Sequence, residues 1–426
     1  MSAPGHPPAM PGPHAMASAS GAGGQAGSGW IVDARYDLLF FFASALFTLA
    51  IGALVLLQPG LLLPLWFGWI WLIEGPHLFA TWQRTYFDAQ YRQQHAPLLR
   101  RSLIWFAPGL LCWLAAVMGW REPFLLYLAL AAIWSFHHTI RQYHGIQAIY
   151  QRLCHTEAAA QRQDKRLLHA ILWLAFGLFL LAHPANRAQL GLLAHSSGMG
   201  AFLNVVLGLL LTAGLLLWAG LLLWRRQHGQ TIKPGLFGLL VASGTTLFSL
   251  FVVGSREPLL ANAATPEQMF MAATLVGGAL HGIHYLGMVS AASRRRAAAK
   301  SAAPDMQSAI PGPQPRSVEA VAQAQSATPA NPVSSRATAP DLATRLGRAP
   351  WLAYALMLLF SCLYVALNLA RGGAPLDFTP AADSATAKFF LALYWGLFFH
   401  HYWLDQHIWK PSNDAQLRAE LNLGTS

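Results

Sequence analysis

The chain has 426 residues, 55% of them hydrophobic and only 11% charged, where a soluble domain carries about 25% charged residues. That composition excludes an ordinary soluble domain and points to a membrane protein. The net charge of +11 would suit a nucleic-acid partner only if it gathered on one soluble face. Lys and Arg instead fall in the short segments between apolar runs, a pattern that reports membrane orientation, so no nucleic-acid partner is expected.

Residues 1–29 are rich in Gly, Ala, Pro and Ser, with no charged start leading into a cleavable apolar core. They read as a disordered tail and not as a signal peptide. Ten apolar runs near the ~20 residues needed to cross a bilayer then follow, at 36–58, 61–83, 98–119, 122–143, 166–183, 199–224, 233–254, 265–292, 350–370 and 383–409. Eight of them make up a membrane domain over 30–292. From 293 to 349 the composition turns to Ala, Pro, Ser, Gln and Thr, with too few large apolar residues to offset the entropy of ordering, so a disordered cytoplasmic linker is expected there. The final two spans, within 350–410, must pack back onto the other eight, and 411–426 forms a cytoplasmic tail. With the N-terminus inside, only Arg121, Arg187, Arg256, Arg371 and Lys388 face outward, leaving 23 of the 28 basic residues on the cytoplasmic side. The expected fold is therefore all-α, a polytopic transmembrane helical bundle of about ten spans with both termini inside, in the cytoplasmic (inner) membrane.

Cys112, Cys154 and Cys362 are widely separated and form neither a disulfide framework nor a CxxC metal site. The seventeen histidines are more informative. His95, His155, His169, His195 and His228 lie in or beside loops, whereas nine others gather in four clusters on spans two, four, eight and ten. The clusters are "IEGPHLF" (Glu74, His77), "FHHTIRQYH" (His137, His138, His144), "ALHGIHYLG" (His281, His284) and "FFHHYWLDQH" (His400, His401, His407, with Asp405). Ionisable groups inside a bilayer are costly and usually functional. At ~1.5 Å of rise per residue, His77, His137, His281 and His400 each lie ~24 Å into their own spans. All four spans run outside to inside, so the clusters share one level, near the cytoplasmic edge of a hydrocarbon core ~30 Å thick.

Helical phase sorts the residues further. Positions seven apart return to nearly one face, as His137 and His144 do, and as His400 and His407 do; spacings of three or four pair His281 with His284, Glu74 with His77, and His401 with Asp405. Adjacent histidines diverge by ~100°, so the members of each HH pair address different neighbours. On this spacing His400 and His407 are expected at a metal centre shared with spans four and eight, with His401 and Asp405 at a second metal or behind the first. Clustered imidazoles with a few carboxylates suit iron, copper or zinc. Glu74 and Asp405 are candidate ligands, or candidate partners for the second nitrogen of a ligand histidine. Arg141, Gln142, Tyr143 and Tyr402 are available as hydrogen-bond donors.

HH and HxxH clusters on membrane helices, gathered at the cytoplasmic boundary, resemble those of the histidine-rich integral-membrane non-haem iron enzymes: fatty-acyl desaturases, lipid and alkane hydroxylases and, more loosely, carotene-cleaving dioxygenases. "HHTIRQYH" and "HHYWLDQH" reverse and lengthen the desaturase boxes. The resemblance implies an oxidoreductase with one or two irons that acts on a lipophilic substrate and draws electrons from a cytoplasmic donor. Two other classes stand beside it. A haem-binding electron carrier needs paired axial histidines and has no use for adjacent HH pairs. A metal or proton transporter needs polar groups through the whole bilayer, whereas the outer halves of spans two, four, eight and ten are apolar.

Overall fold

The computed structural model describes residues 29–182, 197–230, 266–308, 341–370, 384–411 and 414–421, with residue 423 and scattered positions between 232 and 244. The expected span at 233–254, the N-terminal tail to residue 28 and the middle of the expected linker, 309–340, lie largely or wholly outside the described residues. Those that are described form twelve helices and no strand. In chain order these are α1 (Ala34–Leu57), α2 (62–84), α3 (Ala89–Gln94), α4 (Ala96–Val117), α5 (Glu122–Leu153), α6 (Ala158–Ala182), α7 (Ser197–Gln227), α8 (Pro266–Ser308), α9 (Leu342–Arg348), α10 (Pro350–Ala370), α11 (Ala385–Ile408) and α12 (Ala415–Glu420).

Four segments, Ala34–Leu57, Ala96–Val117, Glu122–Leu153 and Val205–Gln227, are long and apolar enough to cross a bilayer; a fifth is available if α9 and α10, bent by 116° to one another, act as one span. The chain is thus a multi-pass membrane protein by length and composition. Leu46, Leu57, Leu111, Leu209, Leu216 and Leu359 are each more than half exposed, as a lipid-facing surface requires and a water-facing one would not tolerate in such number. Of the ten apolar runs of the sequence, 233–254 lies largely outside the described residues and 166–183 reaches their edge. Three more, on α2, α8 and α11, carry Glu74, His77 and Arg84, then His281 and His284, then Lys388, His400, His401 and Asp405, all buried. Polar groups lower the mean hydropathy of these three helices and are turned into the bundle, away from lipid.

Several helix starts follow from the sequence. Asp33, Asp88, Asp341 and Asp414 each accept a hydrogen bond from the backbone N–H three residues on, and Ser384 does the same for α11, as N-cap residues do. Pro97 and Pro123 stand in the first turns of α4 and α5, where their missing N–H costs nothing. Two π-helical stretches interrupt the regular pitch: Leu38–Ala43 within α1 and Ile70–Glu74 within α2. Such stretches shift the phase of everything that follows and are frequent at functional sites. The second ends at Glu74, three residues before His77.

Close helix contacts in the bundle depend on small residues, as in membrane proteins generally. A side chain at Gly75 of α2 would meet Ser361 of α10, whose Cα lies 2.9 Å from the position of the added Cβ. Gly282 of α8 leaves room for Ile73 of α2 in the same way, at 2.5 Å. The composition change at Ser293 is not a structural break. Helix α8 continues to Ser308, α9 packs Leu346 into a buried cluster with Tyr285 and Met357, and Gly347 lies against the Ser293 carbonyl.

The ends of α2, α8 and α12 are tied together by ion pairs and hydrogen bonds. Glu420 of α12 binds Arg84 of α2 at 3.0 Å, and Arg295 of α8 donates to the Glu420 and Ile31 carbonyls at 2.6 and 2.8 Å. Asp164 and Arg225, both buried, join α6 to α7 through two contacts of 2.8–2.9 Å.

Candidate metal centre

One histidine from each of the four sequence clusters enters a single knot of rings. The His77 centroid lies 4.5 Å from that of His401 and 4.8 Å from that of His281. His138 lies 5.1 Å from both His281 and His401. These residues come from α2, α5, α8 and α11, and all are buried. Asp405, one turn beyond His401 on the same face of α11, completes the group. Ligand atoms of His77, His138, His401 and Asp405 all lie within 4.8 Å of one another, close to the ~4 Å that opposite ligands span around a metal with ~2.0–2.2 Å bonds.

The hydrogen bonds around Asp405 determine which atoms face inward. Its Oδ1 accepts from the Tyr285 hydroxyl at 2.6 Å and from the Thr81 hydroxyl at 3.0 Å. With the Thr81 proton given to Oδ1, the 2.7 Å contact between Thr81 Oγ1 and His401 Nδ1 is made by an N–H on Nδ1. The other ring nitrogen, Nε2, then presents a lone pair. That nitrogen stands 3.5 Å from Asp405 Oδ2, and His138 Nε2 stands 3.7 Å from the same oxygen. His138 Nε2, His401 Nε2 and both ring nitrogens of His77 have no hydrogen-bond partner.

A buried polar atom without a partner costs about 1–3 kcal/mol, and here several converge on one point. Unpartnered imidazole nitrogens that face a carboxylate oxygen are what a bound cation satisfies. The group could hold a metal ion, and it is the one such group of His, Cys, Asp or Glu among the described residues. His281 adjoins it with an unpartnered Nδ1, and Glu74 Oε2 stands 3.6 Å from His77 Nδ1, as a carboxylate behind a ligand histidine does. Aromatic side chains close the surroundings to water. Tyr402 stacks on His138 at 4.3 Å, Phe399 stacks on Trp134 at 4.6 Å, and Trp105 packs edge-on to Trp134.

The remaining candidate residues sit elsewhere. His400 is turned away from the knot: its Nε2 bonds the Tyr86 hydroxyl at 2.9 Å and its ring stacks on Tyr86. His407 Nδ1 bonds the Trp403 carbonyl at 2.7 Å. His137 lies beside Trp173, and His144 beside His169, both neighbours on α6. His284 donates from Nε2 to the carbonyl of Phe41, in the π-helical stretch of α1, at 3.1 Å. On α11 it is thus His401 with Asp405, and not His400 with His407, that faces the other helices' histidines. The seven-residue spacing could not say which face of the helix turned inward.

Thr81 and Tyr285 were not singled out by the histidine pattern. Each stands four residues after a clustered histidine, Thr81 after His77 and Tyr285 after His281, so i,i+4 spacing is the signal that marks them. Gln142 donates to the backbone carbonyl of His281 at 2.8 Å and so holds α5 against α8 at the level of the site. Comparison of the chain with protein-family models, with curated proteins and with solved structures finds no match in any of the three.

Proposed function

We propose that this is a membrane metalloenzyme whose centre of His77, His138, His401 and Asp405 would bind one iron ion and which, with dioxygen as the oxidant, oxidises a lipophilic substrate at the cytoplasmic boundary of the bilayer. The observation that carries the metal assignment is the convergence of unpartnered imidazole nitrogens on Asp405 Oδ2 in a buried, water-excluding setting. Charge supports a divalent cation. The ion-pair partners of Asp405 are His138 and His401, and that of Glu74 is His77; neutral imidazoles leave the two carboxylates to balance two positive charges. Uncompensated charge in such a setting is costly.

Imidazole and carboxylate ligands together are a non-haem iron set, and oxidation is the chemistry that iron supplies on the histidine-rich membrane enzymes this sequence resembles. The chain's own residues would do the rest. Tyr285 and Thr81 orient the carboxylate, Glu74 stands behind His77, and Trp134, Phe399 and Tyr402 keep water out. The one metal-competent group among the described residues favours a single ion over the pair that the four clusters first suggest. Helices with apolar outer faces suit a lipid-soluble substrate that arrives from the bilayer, and the basic residues between the apolar runs support a cytoplasmic electron donor for the centre.

The test is the lipid profile of cells expressing the wild-type protein or its His401→Ala variant. The wild type should add a species heavier by one oxygen or lighter by two hydrogens, or fragments of a cleaved chain, and the variant should not. Identical profiles, with iron retained in the wild-type protein, would refute oxidation while leaving the metal site intact.

A further inference from the structure

Asp405 and His401 share one hydroxyl, that of Thr81, and this arrangement makes the inward-facing atoms of both residues depend on it. We propose that Thr81 and Tyr285 are positioning residues for a divalent cation: together they hold Asp405 with Oδ2 inward and hold His401 as the tautomer whose Nε2 can bind a metal. The inference rests on the metal site proposed above and goes beyond it, because neither residue is a ligand.

The geometry supports it in three ways. Thr81 is fully buried and touches three partners: the Asp405 carboxylate at 3.0 Å, His401 Nδ1 at 2.7 Å and the Tyr285 hydroxyl at 2.6 Å. An acceptor on Nδ1 is what forces the proton there and frees Nε2. Two donors on Oδ1, from Thr81 and Tyr285, occupy one side of the carboxylate and leave Oδ2 for the histidines. Tyr285 is in turn braced from the cytoplasmic side. Its ring meets the edge of Trp409 at 6.0 Å, Trp409 lies under the Arg84 guanidinium at 4.7 Å, and Arg84 is held by Glu420 of α12. The hydroxyl's position is thus set by packing on both sides.

The experiment uses full-length protein in detergent, loaded with Co(II) as a spectroscopic probe, and compares the wild type with Thr81→Val, Thr81→Ser and Tyr285→Phe. Valine keeps the shape of threonine and removes the hydroxyl; serine keeps the hydroxyl. Thr81→Val and Tyr285→Phe should each weaken Co(II) binding ~10–100-fold, the usual effect of losing an outer partner, and should alter the visible Co(II) bands. Thr81→Ser should bind within a few-fold of the wild type with unchanged bands. If Thr81→Val binds as the wild type does with the same spectrum, or if Thr81→Ser loses as much as valine, the positioning role is overturned and the metal site stands. If the wild type itself takes up no Co(II), the metal site falls and this inference with it.

Discussion

Replacing His401 by alanine should strip the protein of metal, whereas replacing the adjacent His400 should leave it loaded. The two residues are neighbours in sequence, equally buried and identical in chemistry, so the comparison isolates position. A ~100° turn of the helix separates them. It sends His401 toward His77, His138 and Asp405 and sends His400 toward Tyr86 and Phe106. Loss of His401 removes a ligand and also takes the Nδ1 partner from Thr81, so affinity should fall by more than the ~10–100-fold typical of an outer-partner change. Loss of His400 removes one hydrogen bond from Tyr86, whose hydroxyl keeps Ser102 at 3.3 Å, with a stability cost of about 1 kcal/mol and little change in metal content. Elemental analysis of the two purified variants checks this. Equal retention of metal by both would show that α11 contributes no ligand from this face.

The second large effect is on stability. Without a cation, His138 Nε2 and His401 Nε2 stand unpartnered 3.7 and 3.5 Å from Asp405 Oδ2, in surroundings where each unpartnered atom costs about 1–3 kcal/mol. A cation that binds the folded chain adds RT ln(1 + [L]/Kd), about 4 kcal/mol when it stands at a thousand times its Kd. Thermal melting in detergent should therefore move upward when Fe(II) is added to stripped protein under anaerobic conditions, and back down on chelation. The His401→Ala variant should show little of this shift. A melting temperature that is indifferent to Fe(II), with the protein otherwise folded, would contradict the reading of these atoms as ligands.

Much of this centre is visible in the sequence, and the limits are physical. The four clusters declare themselves because imidazoles and carboxylates are expensive in lipid, and the depth of each within its helix follows from the rise per residue. What depth cannot supply is the rotation of one helix against another. On α5 the seven-residue pair His137 and His144 faces α6, with Trp173 and His169 as neighbours, while His138 alone turns to the centre. On α2 the π-helical Ile70–Glu74 stretch resets the phase just before His77, and no simple 3.6-residue period anticipates it. Thr81 and Tyr285 escape a search for metal ligands because their oxygens act on the ligands from behind.

The region after Ser293 shows a different limit. Its composition is too polar to form a core of its own, and that criterion measures burial, not helix propensity. "RRRAAAKSAA" is rich in the residues that favour helix most, so α8 continues through it and the arginines meet Glu420, Asp88 and the Ile31 carbonyl. Span identification has the same character. Three of the four helices that carry the centre, α2, α8 and α11, are ones whose polar residues dilute their hydropathy, and those residues are turned inside the bundle because they need one another.

The occupancy and first coordination shell of the purified wild-type protein test the central claim most directly. Elemental analysis joined to X-ray absorption at the metal edge, on protein expressed in iron-replete medium, should find close to one iron per chain. Its ligands should be nitrogen and oxygen only, with the outer-ring scattering of about three imidazoles, as His77, His138, His401 and Asp405 require. Protein that is folded and free of iron, copper and zinc, or a metal whose shell contains sulfur from Cys112, Cys154 or Cys362, would contradict it.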